Sequence, residues 1–494
     1  MTSTNFQRTD PIRNGRVAVA ALCAILGVML ALFSWNYSEF FGPDSIYYFA
    51  RMVKTIPELL QAFCSVDNRG QYRPMGMVLF TYVLFPLFHY SVVGYHIAPL
   101  CFHACNILLV YMISRRLLVN RWASIAAAGF FGLHRVDFFV TYGITFIPDF
   151  SGLFFFLSAF LCYLKREEGR RWLMLSFFSW ITALFSKEVA VVFPAIVAAY
   201  ELLWVSRGTI PERIGFSLKQ SAAFWTGALG FIVFIVALRG GPLYPSSAQH
   251  PYAAAISAET VAAKIKYLWW AMNLPQGTGI GRTAADIAGI RSVGAPISQT
   301  NPYLTTVAGL LLLPFAAALA FFIVREVSHL NAPAVFGITY FLLALSPVLP
   351  LSGRVMQHNL YFPLPGLALL FGIFVAQMLK SHYRLALPAL CLVFLFSTAT
   401  GVYNNRRFSW PVIASRTSAE FLKTFHSVTA SRLDCNTTIV IARTGEPDTP
   451  WYTDGGNLFR VFGPCRNLKV YFEDLNQQPD SSSVLRIELR RRVD

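Results

Sequence analysis

The chain has 494 residues, 55% of them hydrophobic and only 13% charged, with a mean hydropathy of +0.50. Such a composition excludes an ordinary soluble globule and points to a polytopic membrane protein. The formal charge of +16 comes from basic residues clustered between apolar runs, which is the pattern of cytoplasmic connections, so nucleic acid is not an expected partner.

Two rules give the order of crossings. A helix needs about 20 apolar residues to span the bilayer, and Lys/Arg-rich turns stay cytoplasmic. The polar stretch Met1–Arg16 is expected inside, followed by Val17–Phe33 as a retained first helix rather than a cleaved signal peptide. The next basic turn is Arg115, Arg116 and Arg121, so one span returns before it. Val93–Ile113 is assigned to that crossing, and the shorter Met75–Tyr90, broken by Pro86, is expected to lie in the interface. Further spans are Trp122–Leu133, Phe150–Leu164, Trp172–Phe185, Val189–Trp204, Ala222–Leu238, Tyr303–Val324, Val335–Leu351, Tyr361–Leu379 and Leu385–Val402, eleven in all, with every basic turn inside. Beyond Tyr403 the apolar runs stop, and Thr438–Ala442 and Leu468–Phe472 read as strands of a small mixed domain outside. No 34-residue tetratricopeptide pattern is present.

Under this topology Asp44, Arg73, Arg135, Asp137, Asp149, Lys187, Glu188, Arg354 and His358 gather on the outer face. Ionisable groups at the ends of apolar helices are costly unless paired or facing a wet cavity, so they mark candidate sites. Carboxylates with Arg and Lys suit transfer from a phosphate-linked donor: a base for the acceptor hydroxyl and cations for the departing phosphate. Asp44 sits in the turn Phe41-Gly42-Pro43-Asp44, the most favourable place for that base. His96 and His103 lie seven apart on one helix face and read as core histidines, not metal ligands; no metal or other cofactor is expected. Six cysteines lie in or near apolar stretches, whereas Cys435 and Cys465 share the polar tail, where a disulfide can persist. The sequons at Asn36 and Asn436 fall on the expected outer side.

The order of these features carries a resemblance. An acid after the first span, then YRPM, GYHIAPLCFHACNILLVYMISRRLL, FGLHRVDFF, IPDFSGLFFFLSAFLCYL, LFSKEVAVVFPAIVAAYELLW and HNLYFPLPGLALL resemble the GT-C superfamily of membrane glycosyltransferases. The resemblance is nearest to protein O-mannosyltransferases of the transmembrane-and-tetratricopeptide type and more distant to bacterial aminoarabinose transferases. It implies an all-α polytopic GT-C-like fold of about 11 transmembrane helices with a small extracytoplasmic α/β C-terminal domain. The implied organisation is a cytoplasmic tail (1–16), a transmembrane domain (17–403) with outer loops 34–92 and 239–301, and the outer domain (404–494).

The resemblance also implies roles. A polyprenyl-phosphate sugar donor enters from the bilayer, and an acceptor outside (protein, lipid or glycan) is glycosylated with inversion. Asp44 stands at the general-base position, with Asp149 and Asp137 as further catalytic candidates. Arg73 stands where the aminoarabinose transferases carry a phosphate-contacting lysine, and Arg135, Lys187, Arg354 and His358 join it. Glu188 and Tyr361 support them. The chain departs from relatives in having Ser45 after Asp44, and in His134-Arg135-Val136-Asp137 and Gln357-His358-Asn359-Leu360-Tyr361-Phe362-Pro363. Alternatives from other classes are a transporter or flippase of a lipid-linked substrate, and an inactive scaffold.

Overall fold

The computed structural model describes residues 11–34, 40–66, 71–241, 253–254, 258–275, 302–351, 355–429, 438–442, 449–465, 467–475, 477 and 484–487, and all structural statements concern these. The chain begins with α1 (Pro11–Phe33), followed by four short helices: α2 (Pro43–Ala50), α3 (Ile56–Phe63), α4 (Pro74–Leu79) and α5 (Phe85–Phe88). Then come α6 (Val92–Leu118), α7 (Arg121–Gly132), α8 (Asp137–Tyr142), α9 (Ile147–Leu164), α10 (Arg170–Ser186), α11 (Phe193–Tyr200) and α12 (Ile210–Arg239). After α13 (Ala258–Ala271) the bundle closes with α14 (Pro302–Ser328), α15 (Ala332–Leu345), α16 (Leu364–Lys380) and α17 (Leu387–Phe408).

Each of the eleven expected crossings falls on a helix. Seven helical stretches among the described residues are long and apolar enough to span a bilayer: Gly15–Phe33, Val92–Leu118, Ile144–Leu164, Glu188–Val205, Ile210–Arg239, Tyr303–Ser328 and Tyr383–Thr429. The chain is a multi-pass membrane protein. Shorter apolar helices at Ala332–Val348 and Leu364–Lys380 pack inside the bundle, and Pro74–Phe88 is the segment expected in the interface. Tyr82, Val83 and Leu87 are exposed on it. Its middle, Phe80–Leu84, is a π turn in which the Phe85 amide reaches back to the Phe80 carbonyl. The ring of Pro86 cannot tolerate a normal turn beneath it, so the helix widens just before it.

Local chemistry sets the other short helices. Thr55 and Glu58 cap α3 reciprocally, the Glu58 amide donating to Thr55 Oγ1 at 3.4 Å and the Thr55 amide to Glu58 Oε2 at 3.3 Å. Yet α3 buries no side chain, and Ile56 and Leu60 are 73% and 62% exposed, as suits a helix lying against lipid. The basic turns meet at the far end of the bundle from α2 to α5. Arg116 in the last turn of α6 pairs with Glu168 between α9 and α10, and Arg166 pairs with buried Glu201 at 2.7 Å, while Tyr163 donates to the same Glu201 oxygen at 2.8 Å.

The helix α17 runs unbroken through Asn404 and is followed at once by α18 (Trp410–Thr429). Two more short helices, α19 (Thr449–Tyr452) and α20 (Asn457–Phe462), lie between strands β1 (Thr438–Ile441) and β2 (Lys469–Phe472), and β3 (Val484–Ile487) follows. The sheet is parallel, in the order β2-β1-β3, with Ile439 beside Val470 and Leu485. Central β1 is buried along its whole length, which is why Thr438 to Ile441 reads as a continuous apolar run. The expected strands at 438–442 and 468–472 are present; β3 was not foreseen.

Glycines let α15 and α16 touch. A Cβ on Gly366 would lie 2.8 Å from the Phe341 amide nitrogen and 2.9 Å from Tyr340 Cδ1, and one on Gly337 would lie 2.9 Å from the Gly366 carbonyl oxygen. Gly366→Ala is therefore expected to destabilise the protein by about 1–3 kcal/mol through overpacking, lowering its thermal midpoint in detergent. Gly27→Ala, which meets nothing within 4 Å, should leave the midpoint unchanged.

Candidate functional site

The turn Gly42-Pro43 starts α2 and puts half-buried Asp44 in its first turn. Pro43 fits there because the first helical amides need no intrahelical acceptor. Next to it, the Ser45 and Thr145 hydroxyls hydrogen-bond at 2.9 Å, tying α2 to the turn before α9. The start of α4 closes on the same place. A Cβ on Gly76 would sit 3.3 Å from Ile147 Cγ2, 3.7 Å from the Tyr48 hydroxyl and 3.8 Å from Pro148 Cγ, so α2, α4 and the start of α9 converge.

Charges line this junction. Arg73, just before α4, bonds through Nε to Glu188 Oε2 at 3.1 Å, and the Tyr72 amide donates to Glu188 Oε1 at 3.4 Å. Beneath them Lys187 pairs with Asp149, both buried. Burial pushes the Lys187 ammonium below its usual range, opposed by the Asp149 carboxylate and reinforced by Arg73. A Cβ on Gly152 would meet Lys187 Cβ and Phe362 Cζ, each at 3.2 Å, so only a small residue leaves room for the lysine there. Sequence reasoning missed a third cation, Arg239. It ends α12 and acts electrostatically on Glu188. Its place at the mouth of the long loop was a usable signal.

Deeper between α6, α9 and α16 lies a neutral network. His103 Nε2 faces the Gly132 carbonyl at 3.2 Å, which can only accept, so the neutral ring carries its proton there. Nδ1 then accepts from the Tyr361 hydroxyl at 2.9 Å, which in turn accepts from the Asn106 amide at 3.0 Å. Asp137 lies 3.6 Å from His103 Nε2, fully buried, with no hydrogen bond to either carboxyl oxygen among the described residues. Burial pushes its carboxyl well above the ordinary carboxylate range. His96 bonds the Tyr142 carbonyl. Both histidines of the heptad pair are thus held by protein groups.

Arg135 takes a different direction. It is 2% exposed, its amide donates to Asn273 Oδ1 at 3.0 Å and its guanidinium to the Leu274 carbonyl at 2.5 Å. The Asn273 side chain donates to Thr398 at 3.0 Å and the Ser397 hydroxyl to the Asn273 carbonyl at 2.6 Å, so the end of α13 is clamped between α7 and α17. Burial holds the Arg135 guanidinium down to about 9. His358 packs its ring 5.0 Å from Phe146, beside Asn359, whose amide donates to the Tyr267 hydroxyl of α13 at 2.9 Å. Arg354, Cys435 and the sequon residues Asn36 and Asn436 lie outside the described residues. Cys465 is buried and disulfide-bonded. Among the described residues no three His, Cys, Asp or Glu side chains are grouped to hold a metal.

The structure therefore joins Arg73, Asp149, Lys187 and Glu188 around one junction, with Arg239 added, and packs α2, which carries Asp44, against it. Asp137 and Tyr361 belong to the adjoining network, and Arg135 belongs to the clamp.

No protein-family model matches the chain. It is similar to the protein O-mannosyl-transferase Tmtc1 of Drosophila melanogaster, 24% identical over 430 residues, covering 69% of this chain and 49% of the relative. The chain thus spans about half the length of that curated relative. Among solved structures it is similar to the Archaeoglobus fulgidus oligosaccharyltransferase tethered to an acceptor peptide (TM-score 0.48, 10% identity, 92% of this chain and 63% of that one). It is also similar to ArnT from Cupriavidus metallidurans bound to undecaprenyl phosphate (TM-score 0.47, 13% identity, 94% and 90%).

Breaking the buried pair from one side leaves a lone charge. Lys187→Met is expected to cost about 3–5 kcal/mol of stability, read from unfolding in detergent, and adding Asp149→Leu should restore most of it. A loss in the double variant equal to the sum of the two single losses would show that the pair does not couple.

Proposed function

We propose that this chain is a GT-C-type membrane glycosyltransferase that moves a sugar from a polyprenyl-phosphate donor to a hydroxyl acceptor outside the cytoplasm. The observation that supports it most is the junction where α2, whose first turn carries Asp44, converges with α4 and the start of α9, the elements that bear the Arg73–Glu188 and Lys187–Asp149 pairs. The named relative supports mannose as the sugar and a protein hydroxyl as the acceptor.

In this reading Asp44 takes the proton of the acceptor hydroxyl as its oxygen attacks the anomeric carbon. The bond from that carbon to the phosphate oxygen breaks on the opposite side, inverting the centre, and its electron pair leaves on polyprenyl phosphate. The phosphodiester monoanion becomes a monoester of higher charge. Arg73, Lys187 and Arg239 are three cations facing two carboxylates, Glu188 and Asp149. With the Asp44 carboxylate counted, the junction is formally neutral before reaction; once Asp44 has taken the acceptor's proton, one net positive charge is left to favour the more anionic product of bond cleavage. A guanidinium such as Arg73 can grip two phosphate oxygens at once, which an ammonium cannot. Basic turns at the opposite end of the bundle support an extracytoplasmic position for the junction and a cytoplasmic N-terminus.

Asp44→Asn keeps size and hydrogen bonding but removes the base. It should fold, bind polyprenyl phosphate and lose transfer from polyprenyl-phosphate mannose by roughly 10²–10⁴-fold per folded molecule. Near-wild-type turnover would remove Asp44 from the mechanism. Arg73→Ala should weaken polyprenyl phosphate binding more than Arg73→Lys does, and unchanged binding in both would exclude the phosphate contact. A reporter active only outside the cytoplasm should work when fused after Thr429 and stay silent after Arg171; the reverse pattern would overturn the orientation.

A further inference from the structure

The sheet-bearing C-terminal region touches α2 directly. Phe462, the last residue of α20, sits in a ring of aromatics from the first loop. Its ring centroid is 5.2 Å from Phe40, 5.6 Å from Phe41, 5.5 Å from Phe49 and 5.7 Å from Tyr90. Against Phe41 it is stacked at 22°, and it meets the other three at steep angles, a mixture of stacked and edge contacts that fixes ring orientation as well as distance. Phe41, just before α2, and Phe49, in its last turn, are both 4% exposed, and the first turn of the same helix carries Asp44.

A second contact from the same region reaches that turn. A Cβ on Gly42 would lie 3.2 Å from Ser415 Oγ of α18, and the Ser415 hydroxyl donates to the Pro411 carbonyl at 2.8 Å. The α2 helix is thus gripped by α18 and α20 on one side and, through Ser45, by Thr145 on the other. The grip is itself braced. Phe425 of α18 stacks on Phe459 of α20 at 4.6 Å, and the His426 ring bonds the Phe462 carbonyl at 3.2 Å. Cys465, three residues beyond Phe462, is tied by its disulfide. Eight residues of helix are too few to hold their own shape in water or at a membrane surface, so the orientation of α2 comes from what packs on it.

We infer that Phe462 is a positioning residue: through its aromatic cage the C-terminal region sets where Asp44 points, without itself touching substrate. This rests on the reading of Asp44 as the base. The C-terminal region then acts on the reaction by holding the base in the small range of positions from which a proton can be taken in the transition state, a requirement that a displacement of about 1 Å can defeat.

The test uses the full-length protein in detergent or nanodiscs. Phe462→Ala should lower turnover of polyprenyl-phosphate mannose at least tenfold while leaving the binding of polyprenyl phosphate, read at the Arg73 end of the junction, unchanged. Phe462→Tyr, which keeps the ring, should restore most of the turnover. In hydrogen exchange, amides of α2 should lose protection in Phe462→Ala while those of β1 keep it, a pattern that general loss of the C-terminal fold would not produce. Wild-type turnover in Phe462→Ala, or loss of protection in β1 together with α2, would overturn the inference. Asp44→Asn run beside it separates the two claims. An inactive Asp44→Asn with a fully active Phe462→Ala sinks only the positioning role, whereas an active Asp44→Asn sinks the base on which it rests.

Discussion

Everything at the candidate site depends on one constraint: a charge carried into an apolar bundle has to find its opposite there. Lys187 and Asp149 meet it at the place where α9 begins and α10 ends. Neither has water enough to stand alone, and neither is replaceable by a neutral residue without stranding the other. The pair fixes the floor on which Arg73 and Glu188 stand, partly exposed, one layer nearer the surface. The result is a graded site, with buried pairing below and the Arg73–Glu188 pair with partial access to solvent above.

The uncharged interior follows the same rule with hydrogen bonds. The run from Asn106 through Tyr361 and His103 to the Gly132 carbonyl has a single consistent direction of donation, because its last member can only accept. Buried hydrogen-bonded chains of this sort favour one relative rotation of the helices they join, and here Asn106 Oδ1 is the member left without a hydrogen bond among the described residues. The clamp of Arg135 and Asn273 does the same for the end of α13, which carries the Tyr267 contact to the loop of Asn359 and His358. Glycines complete the arrangement where backbones approach, between α15 and α16 and beside Lys187. The first loop, by contrast, is built of short helices whose shape is borrowed from neighbours, above all from the aromatic cage around Phe462.

Much of this was legible in the residues. Each of the eleven apolar runs read from hydropathy falls on a helical stretch, and seven of those stretches are long and apolar enough to span a bilayer, since an apolar run of that length has few other fates. Met75 to Tyr90 was readable as a surface helix from its shortness and Pro86, and the structure adds the π turn that Pro86 imposes. The ordered series from Asp44 to Tyr361 indicated which polar residues gather. What it left out follows from how those residues meet. Arg135 and Asp137 are two positions apart, yet one donates to Leu274 and the other lies near His103. Nothing in their spacing tells these directions apart. Arg239 was overlooked because a basic residue at a helix end is common, and only its proximity to Glu188 makes it distinctive.

The sequence by itself determined the environment of each segment: which stretches enter lipid, which end of the bundle gathers the basic turns, and which chemistry the polar residues can support. These are local properties, decided by transfer of side chains between water and hydrocarbon and readable in a window of some twenty residues. Tertiary structure alone decided the partnerships. Ser45 meets Thr145 across 100 residues, Arg73 meets Glu188 across 115, and Tyr361 meets His103 across 258. Such pairs depend on the rotation and depth at which helices pack, which arise from many weak contacts acting together and leave no mark at either residue. For that reason the candidate base could be named from its turn, while the side chains that hold it in place, with Phe462 among them, came to light only when the chain was folded.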